Sequence, residues 1–382
     1  MAASQQCRVV VRLRPTANAR CVEVDAAGQL IVGGGRGFAF DSVLAEEAGQ
    51  EDVWAACGAP LVATALSGCT SALLVYGQSG SGKTHTMGTG ADAQADRGLV
   101  ARCAEALAGA GEAASLSLTL VEIYHERIRD LLSPAAAADN LAIHEGERGT
   151  YCGATDAAWR TAGDVERLLR EGRAHRSVGA TAMNATSSRS HLVLTLTALL
   201  PNGTVGKLIL VDLAGSERAK RTGAAGGALD EACSINKSLS ALGNVISART
   251  KAPACSDEAV IPYRDSKLTR LLREALCGDA ALTLILCASP AAVDANETLS
   301  TLRFGARAKE MVCTPTAAPV PLEVQLAEAR RVLAARDGEV EALRLLLADA
   351  RAGGAEKGGT GWVRDTGWLL ATWCVAVATV LV

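Results

Sequence analysis

The chain of 382 residues carries 49% hydrophobic and 21% charged side chains, an ordinary globular balance with enough apolar surface for a large core. A net charge of -3 excludes a chain-wide attraction to polyanions, so nucleic acid is not expected as a partner, and an acidic partner has to be met by a local basic face. The 12 cysteines show no C-x-x-C pair or His-bearing metal spacing, and the opening MAASQQCRVVVRLRP lacks the apolar core of a secretory signal, which points to reduced thiols in the cytosol.

From Cys7 to Val312 short apolar runs alternate with longer amphipathic stretches, the rhythm of a sheet flanked by helices within one α/β domain. Strands are predicted at residues 8–13, 73–76, 116–124, 192–198, 208–212 and 282–288. Helices are predicted to follow Gly82, Asn236, Asp265 and Asn296. Pro315, Pro319 and Pro321 then break regular structure, because each lacks an amide proton and restricts the residue before it. Residues 313–321 therefore read as a linker. Beyond it Leu326, Leu333, Val340 and Leu347 recur every seven positions, with Leu322, Ala329, Arg336 and Leu343 at the second seam position. Residues 322–352 are expected to form a short coiled coil joining two copies, or a solitary amphipathic helix. A glycine-rich hinge follows at 353–367. The last segment, 368–382, is uncharged and would span about 22 Å as a helix, against roughly 30 Å of hydrocarbon. With Trp362, Trp368 and Trp373 at hand for an interfacial belt, membrane contact as a tail anchor is one reading, and packing on a partner another.

The strand ending Leu73-Leu74-Val75-Tyr76 runs into Gly77-Gln78-Ser79-Gly80-Ser81-Gly82-Lys83-Thr84, a complete G-x-x-x-x-G-K-[ST] phosphate loop. Glycines let backbone amides turn inward on phosphate oxygens, and a helix beginning near Gly82 directs its positive end at them. Lys83 is expected on the β and γ phosphates and the Thr84 hydroxyl on Mg²⁺. Two further loops decide what such a site is used for. Asn184-Ala185-Thr186-Ser187-Ser188-Arg189-Ser190-His191 is too polar for a core. Leu208 to Asp212 is an apolar strand that delivers a carboxylate, followed by Leu213-Ala214-Gly215-Ser216-Glu217-Arg218, in which Gly215 can offer its amide to a γ-phosphate without a side chain in the way.

N-x-x-S-S-R-S-H and D-L-A-G-S-E-R together resemble the two switch signatures of the kinesin motor domain. The resemblance extends through Arg12-Leu13-Arg14-Pro15, Phe38-Ala39-Phe40-Asp41, His85-Thr86-Met87, Val121-Glu122-Ile123-Tyr124, the stretch Ser234 to Asn244, Ile261 to Thr269, and Leu299 to Phe304, covering residues 7 to 312. It implies a three-layer P-loop NTPase with a central mixed, mainly parallel sheet. It also implies ATP and Mg²⁺ at the site, microtubules as partner, and a place on the cytoskeleton in the cytoplasm. Residue by residue, Arg12, Pro15 and His85 resemble walls of the adenine pocket, with Arg14 beside them. Ser188 resembles the switch hydroxyl near Mg²⁺, with Asp212 reaching the metal through water. Ser187 stands beside the attacking water, and Arg189 and Glu217 resemble an ion pair that closes the two switches.

Microtubules are acidic, so the docking face needs cations. Lys220, Arg221, Lys237, Arg264, Lys267, Arg270 and Arg273 provide them, and residues 267, 270 and 273, three apart, are expected to share a helix face. The head precedes the linker, an order that in the family usually means plus-end direction. The linker itself departs from the motile pattern, reading Lys309-Glu310-Met311-Val312-Cys313-Thr314-Pro315, and the segment before Cys7 is short, so docking between the two is expected to be weak. The alternative is a head that grips microtubules without stepping. A filament-end depolymerase would show basic insertions, but residues 28–41 hold only Arg36, and a small GTPase reading fails because no N-K-x-D occurs.

Overall fold

Strands buried on both faces read as unbroken apolar runs, and the two that centre this sheet do so: Thr70–Tyr76 is buried from its second residue onward and Ala281–Ala288 throughout. Successive side chains point to opposite faces, so Ala72, Leu74 and Tyr76 enter one core while Leu73 and Val75 enter the other. The computed structural model describes residues 4–25, 28–33, 35–90, 96–111, 113, 115–133, 139–146, 149–178, 187–217, 227–251 and 261–317, with Arg336 and Arg344.

The main sheet runs in the order Ala157–Ala158, Ser115–Tyr124, His191–Leu199, Val205–Asp212, Thr70–Tyr76, Ala281–Ala288, Arg8–Leu13, Ser42–Leu44, with Arg127–Asp130 paired to Ser115–Tyr124 off that path. It is mixed. Pairing is parallel from Val205–Asp212 through to Ser42–Leu44, and antiparallel on the other side of Val205–Asp212. Helices cover both faces, giving the expected three layers. Gly227–Lys251, Lys267–Leu271, Arg273–Leu276 and Ala295–Ala308 pack Leu242, Val245, Leu268, Leu276, Leu302 and Phe304 on one side. Ala59–Leu66, Leu99–Gly109 and Ala162–Val178 pack Leu61, Leu99, Leu107, Val165 and Leu169 on the other.

Two helices differ from expectation. The helix anticipated after Asn236 already starts at Gly227, because the sequence Ala228-Leu229-Asp230-Glu231-Ala232 favours helix and carries it back past the motif. The one anticipated after Asp265 is short. Ser266 caps it, its hydroxyl accepting from the Thr269 amide at 3.1 Å, and Leu272 then leaves helical geometry at φ -87°, ψ 11° before Arg273 restarts a turn. Beyond the last helix the linker takes up regular pairing: Gln5–Gln6 lies antiparallel to Val312–Cys313, the Cys7 amide donates to Met311 O at 2.8 Å, and the Thr314 amide donates to Gly278 O at 2.6 Å.

The chain divides into two compact units, Met1–Val320 and Pro321–Val382. In the second, Arg336 and Arg344 are helical and exposed, and the remainder of the coil at 322–352, the hinge at 353–367 and the apolar segment at 368–382 lie outside the described residues. Lys220 and Arg221 lie outside them too. Among the described residues, no helix is long and apolar enough to cross a membrane.

Candidate functional site

The strand Thr70–Tyr76 ends at the sheet's C-terminal edge, where Gly77 (φ 149°), Gly80 (φ 74°) and Gly82 (φ 102°) turn the backbone through conformations that side chains disfavour. Lys83–Met87 then opens as a helix. The Lys83 ammonium is buried and donates to Gly77 O and Gln78 O, each at 2.9 Å, which holds it across the mouth of the loop. Burial lowers its pKa, opposed mainly by the charge of Asp212. Arg14 donates to Gly80 O at 2.6 Å and so braces the loop from outside.

Asp212, at the end of Val205–Asp212, accepts from the Thr84 hydroxyl at 2.8 Å and from the Thr89 hydroxyl at 3.2 Å through one oxygen. Its other oxygen, Oδ1, is buried without a hydrogen-bond partner, as are Ser81 Oγ and Gln78 Oε1. Burial pushes the Asp212 carboxyl up, against the hydrogen bond from Thr84 and the charge of Lys83. An orphaned carboxylate oxygen beside two hydroxyls is an oxygen-rich environment that suits a hard cation such as Mg²⁺ and the water shell it retains. Thr89 was not among the residues picked from the sequence, and no local signal distinguishes it.

The two switch loops meet at this loop. Ser187–Arg189 forms a turn of 3₁₀ helix, and Ser188 O accepts from the Gly215 amide at 2.8 Å. The Ser216 amide donates to Gly77 O at 3.1 Å. Glu217 reaches the phosphate loop as well: its carboxylate accepts the Ser79 amide at 2.8 Å and the Ser79 hydroxyl at 2.5 Å. The amide and hydroxyl of Ser79 form a two-point donor that matches both carboxylate oxygens.

The residues expected around the adenine are spread along this edge. The Arg12 guanidinium donates to Thr86 Oγ1 at 2.9 Å, Gln50 Oε1 at 3.2 Å and Ala48 O at 3.4 Å. Pro15 and His85 are exposed, the latter 3.5 Å from Asp96.

His191, quoted above only as part of a motif, is buried at the start of His191–Leu199. Its Nδ1 lies 3.0 Å from the Ala214 amide and its Nε2 2.8 Å from Ser238 Oγ, which in turn lies 2.8 Å from Ile235 O. A backbone N–H can only donate, so Nδ1 accepts and the proton sits on Nε2. Burial, with Lys83 and Arg176 nearby, pushes the His191 pKa down to about 3. The folded state therefore holds this ring neutral, while the unfolded chain takes up a proton below about pH 6.5. Its contribution is full above that pH and drains away as pH falls towards 3. Melting curves should show the unmutated protein losing stability between pH 6.5 and 4 more steeply than His191→Gln. Parallel pH profiles would contradict the assignment.

Of the predicted docking cations, Lys237 is exposed on Gly227–Lys251. Leu272 separates the helix that carries Lys267 and Arg270 from the turn that begins at Arg273. Arg264, Arg270 and Arg273 gather on one carboxylate, Glu145 of the hairpin Ile143–Gly146/Gly149–Cys152, at 3.3, 3.3 and 3.5 Å. Arg264 donates to it and is the main cause of its lowered pKa, assisted by the other two charges. No sequence signal ties Glu145 to these arginines, since more than a hundred positions intervene.

A strand, a G-x-x-x-x-G-K-T loop, a helix and an adjacent strand-end carboxylate define a P-loop nucleotide-binding protein. The kinesin motor domain is matched over residues 5–311, and the chain belongs to that family. It is 43% identical over 296 residues to the kinesin-like protein KIN-1 of Oryza sativa subsp. japonica, covering 73% of this chain and 60% of that one. It is also 43% identical to the kinesin heavy chain of Doryteuthis pealeii, covering 72% of this chain and 29% of that one. Thus it spans less than two thirds of these relatives. Among solved structures, a fast kinesin superposes with a TM-score of 0.73 at 39% identity, covering 83% of this chain and 95% of that one. A KIF14 dimer bound to AMP-PNP and a microtubule gives 0.71 at 32%, covering 83% and 97%.

Proposed function

We propose that the chain is an ATP hydrolase whose turnover is stimulated by microtubules, acting as a plus-end-directed, microtubule-based motor in the cytoplasm. The observation that carries this reading is the convergence at one sheet edge of Lys83, the Thr84–Asp212 contact at 2.8 Å and the Gly215–Ser188 contact at 2.8 Å. The phosphate loop, with Gly77 to Thr84, cradles the triphosphate, and Arg14 and Pro15 flank the base with Arg12 and His85. Thr84 and Ser188 would hold Mg²⁺, with Asp212 through water, and bound there it would spread charge from the phosphates. Ser187, Ser188 and Arg189 position water in line with the γ-phosphate. Glu217 and Gly215 close the second side, so catalysis rests on positioning and fixed dipoles. A γ-phosphate that draws the Gly215 amide would compete with Ser188 O for it, and its departure would return that amide to Ser188, a change that the helix Gly227–Lys251 carries towards Lys237.

The cationic face would comprise Lys237, Arg264, Lys267, Arg270 and Arg273, with Lys220 and Arg221 nearby in sequence. Residues 322–352 would join two heads, and 368–382 would contact a membrane. Polymerised tubulin should raise the ATPase rate of the purified protein severalfold or more, and surface-bound protein should glide filaments. An identical rate with and without filaments would remove the stimulated-ATPase reading. Static attachment with stimulated turnover would favour the gripping alternative.

Glu145 neutralises part of that face. Glu145→Gln is expected to tighten half-saturation by microtubules by roughly two- to fivefold at low salt, with a steeper salt dependence and an unchanged rate without filaments. Unchanged half-saturation would place the arginine cluster outside the docking surface.

A further inference from the structure

The hydrogen bonds around His191 run in one direction without a gap. The Ala214 amide donates to Nδ1, Nε2 donates to Ser238 Oγ, and the Ser238 hydroxyl donates to Ile235 O. His191 and Ser238 are both buried, so water does not compete for these bonds. Ala214 stands between Leu213, whose amide is held by Val75 O, and Gly215, whose amide is held by Ser188 O. At the far end, Ser238 lies inside the long helix directly beside Lys237, which is exposed. One short ring therefore spans from the root of the phosphate-sensing loop to the inward side of the helix that presents a docking cation.

We propose that His191 is a positioning residue, a strut whose neutral ring ties the Ala214 amide to Ser238 so that movement of Gly227–Lys251 and of the second switch loop are transmitted to each other. The imidazole touches neither phosphate nor water in this role. It suits the task because it is rigid and offers an acceptor and a donor on opposite sides, a combination that a hydroxyl or an aliphatic side chain of the same reach lacks. The effect on microtubule stimulation rests on the functional reading above, whereas the link between nucleotide and helix does not.

Ser238→Ala removes the receiving hydroxyl without adding bulk, and Ser238→Thr keeps it. In the full chain, Ser238→Ala should lower the maximal microtubule-stimulated rate about tenfold, with the unstimulated rate and the KM for ATP within about twofold of the unmutated protein. Ser238→Thr should restore most of the stimulation. His191→Phe should fall at least as far, and the double variant His191→Phe/Ser238→Ala no further, because both remove one link. Hydrogen exchange supplies a readout free of microtubules. Amides of residues 233–246 should differ in protection between ADP and a non-hydrolysable ATP analogue, and Ser238→Ala should abolish that difference. Full stimulation together with an intact nucleotide-dependent difference in Ser238→Ala, or multiplicative losses in the double variant, would overturn the strut. An unmutated protein that ignores microtubules, yet loses its nucleotide-dependent protection in Ser238→Ala, would sink the motor reading and leave the strut standing.

Discussion

Replacing Lys83 with Ala is expected to lower ATP turnover by at least about 10²-fold, because the side chain places a buried cation across the mouth of the phosphate loop. Fold should survive. The ammonium is buried at a cost in solvation, which offsets the two hydrogen bonds to loop carbonyls that its removal gives up. The discriminating measurement is the thermal midpoint with and without Mg-ATP. The unmutated protein should be stabilised by the nucleotide and Lys83→Ala should not, since only a ligand that binds the folded state raises its midpoint. Turnover within about threefold of the original would remove Lys83 from the site.

The second large effect separates two glycines of the site, one in the phosphate loop and one in the second switch loop. A Cβ at Gly215 would sit 2.3 Å from Ser79 Oγ and 2.4 Å from Glu217 Oε2, both at the ends of side chains that can turn aside. Gly215→Ala should therefore fold with a midpoint within a few degrees of the original. It should lose about 10²-fold in kcat with KM for ATP little changed, because the closed arrangement of Ser79, Glu217 and Ser188 is what it disrupts. A Cβ at Gly77 would meet the backbone carbonyl of Cys287 at 2.1 Å, at a residue whose φ is 149°. Nothing there can turn aside, so Gly77→Ala should destabilise the head by roughly 2 kcal/mol or more. Denaturant melts of the two variants check the contrast. Equal stabilities would mean that the loop is more pliable than its contacts imply.

Much of this architecture is legible in the chain because its central strands are buried on both faces. A run such as Leu282 to Ala288 has no other use in a protein of this size, and the structure places it between Thr70–Tyr76 and Arg8–Leu13. The phosphate loop is legible for a different reason: backbone geometry there demands glycine at fixed spacing. What could not be read was pairing across the fold. Lys267, Arg270 and Arg273 read as a helical stripe, and nothing in their spacing says that a hairpin brings Glu145 among Arg264, Arg270 and Arg273. Likewise Glu217 has two plausible cationic or polar neighbours, and only the folded chain shows Ser79 offering both donors. His191 carried a signal, its place in a quoted motif, but nothing local says that its second nitrogen reaches Ser238.

The short ladder between Gln5–Gln6 and Val312–Cys313 bears on how this protein should be handled at the bench. A tag or fluorophore attached ahead of Gln5 would crowd the strand that follows the last helix of the head without touching the phosphate loop. Exposed Tyr151 stacks on His144 across the hairpin whose neighbouring register position carries Glu145, so a label there would load the hairpin that holds the arginine cluster.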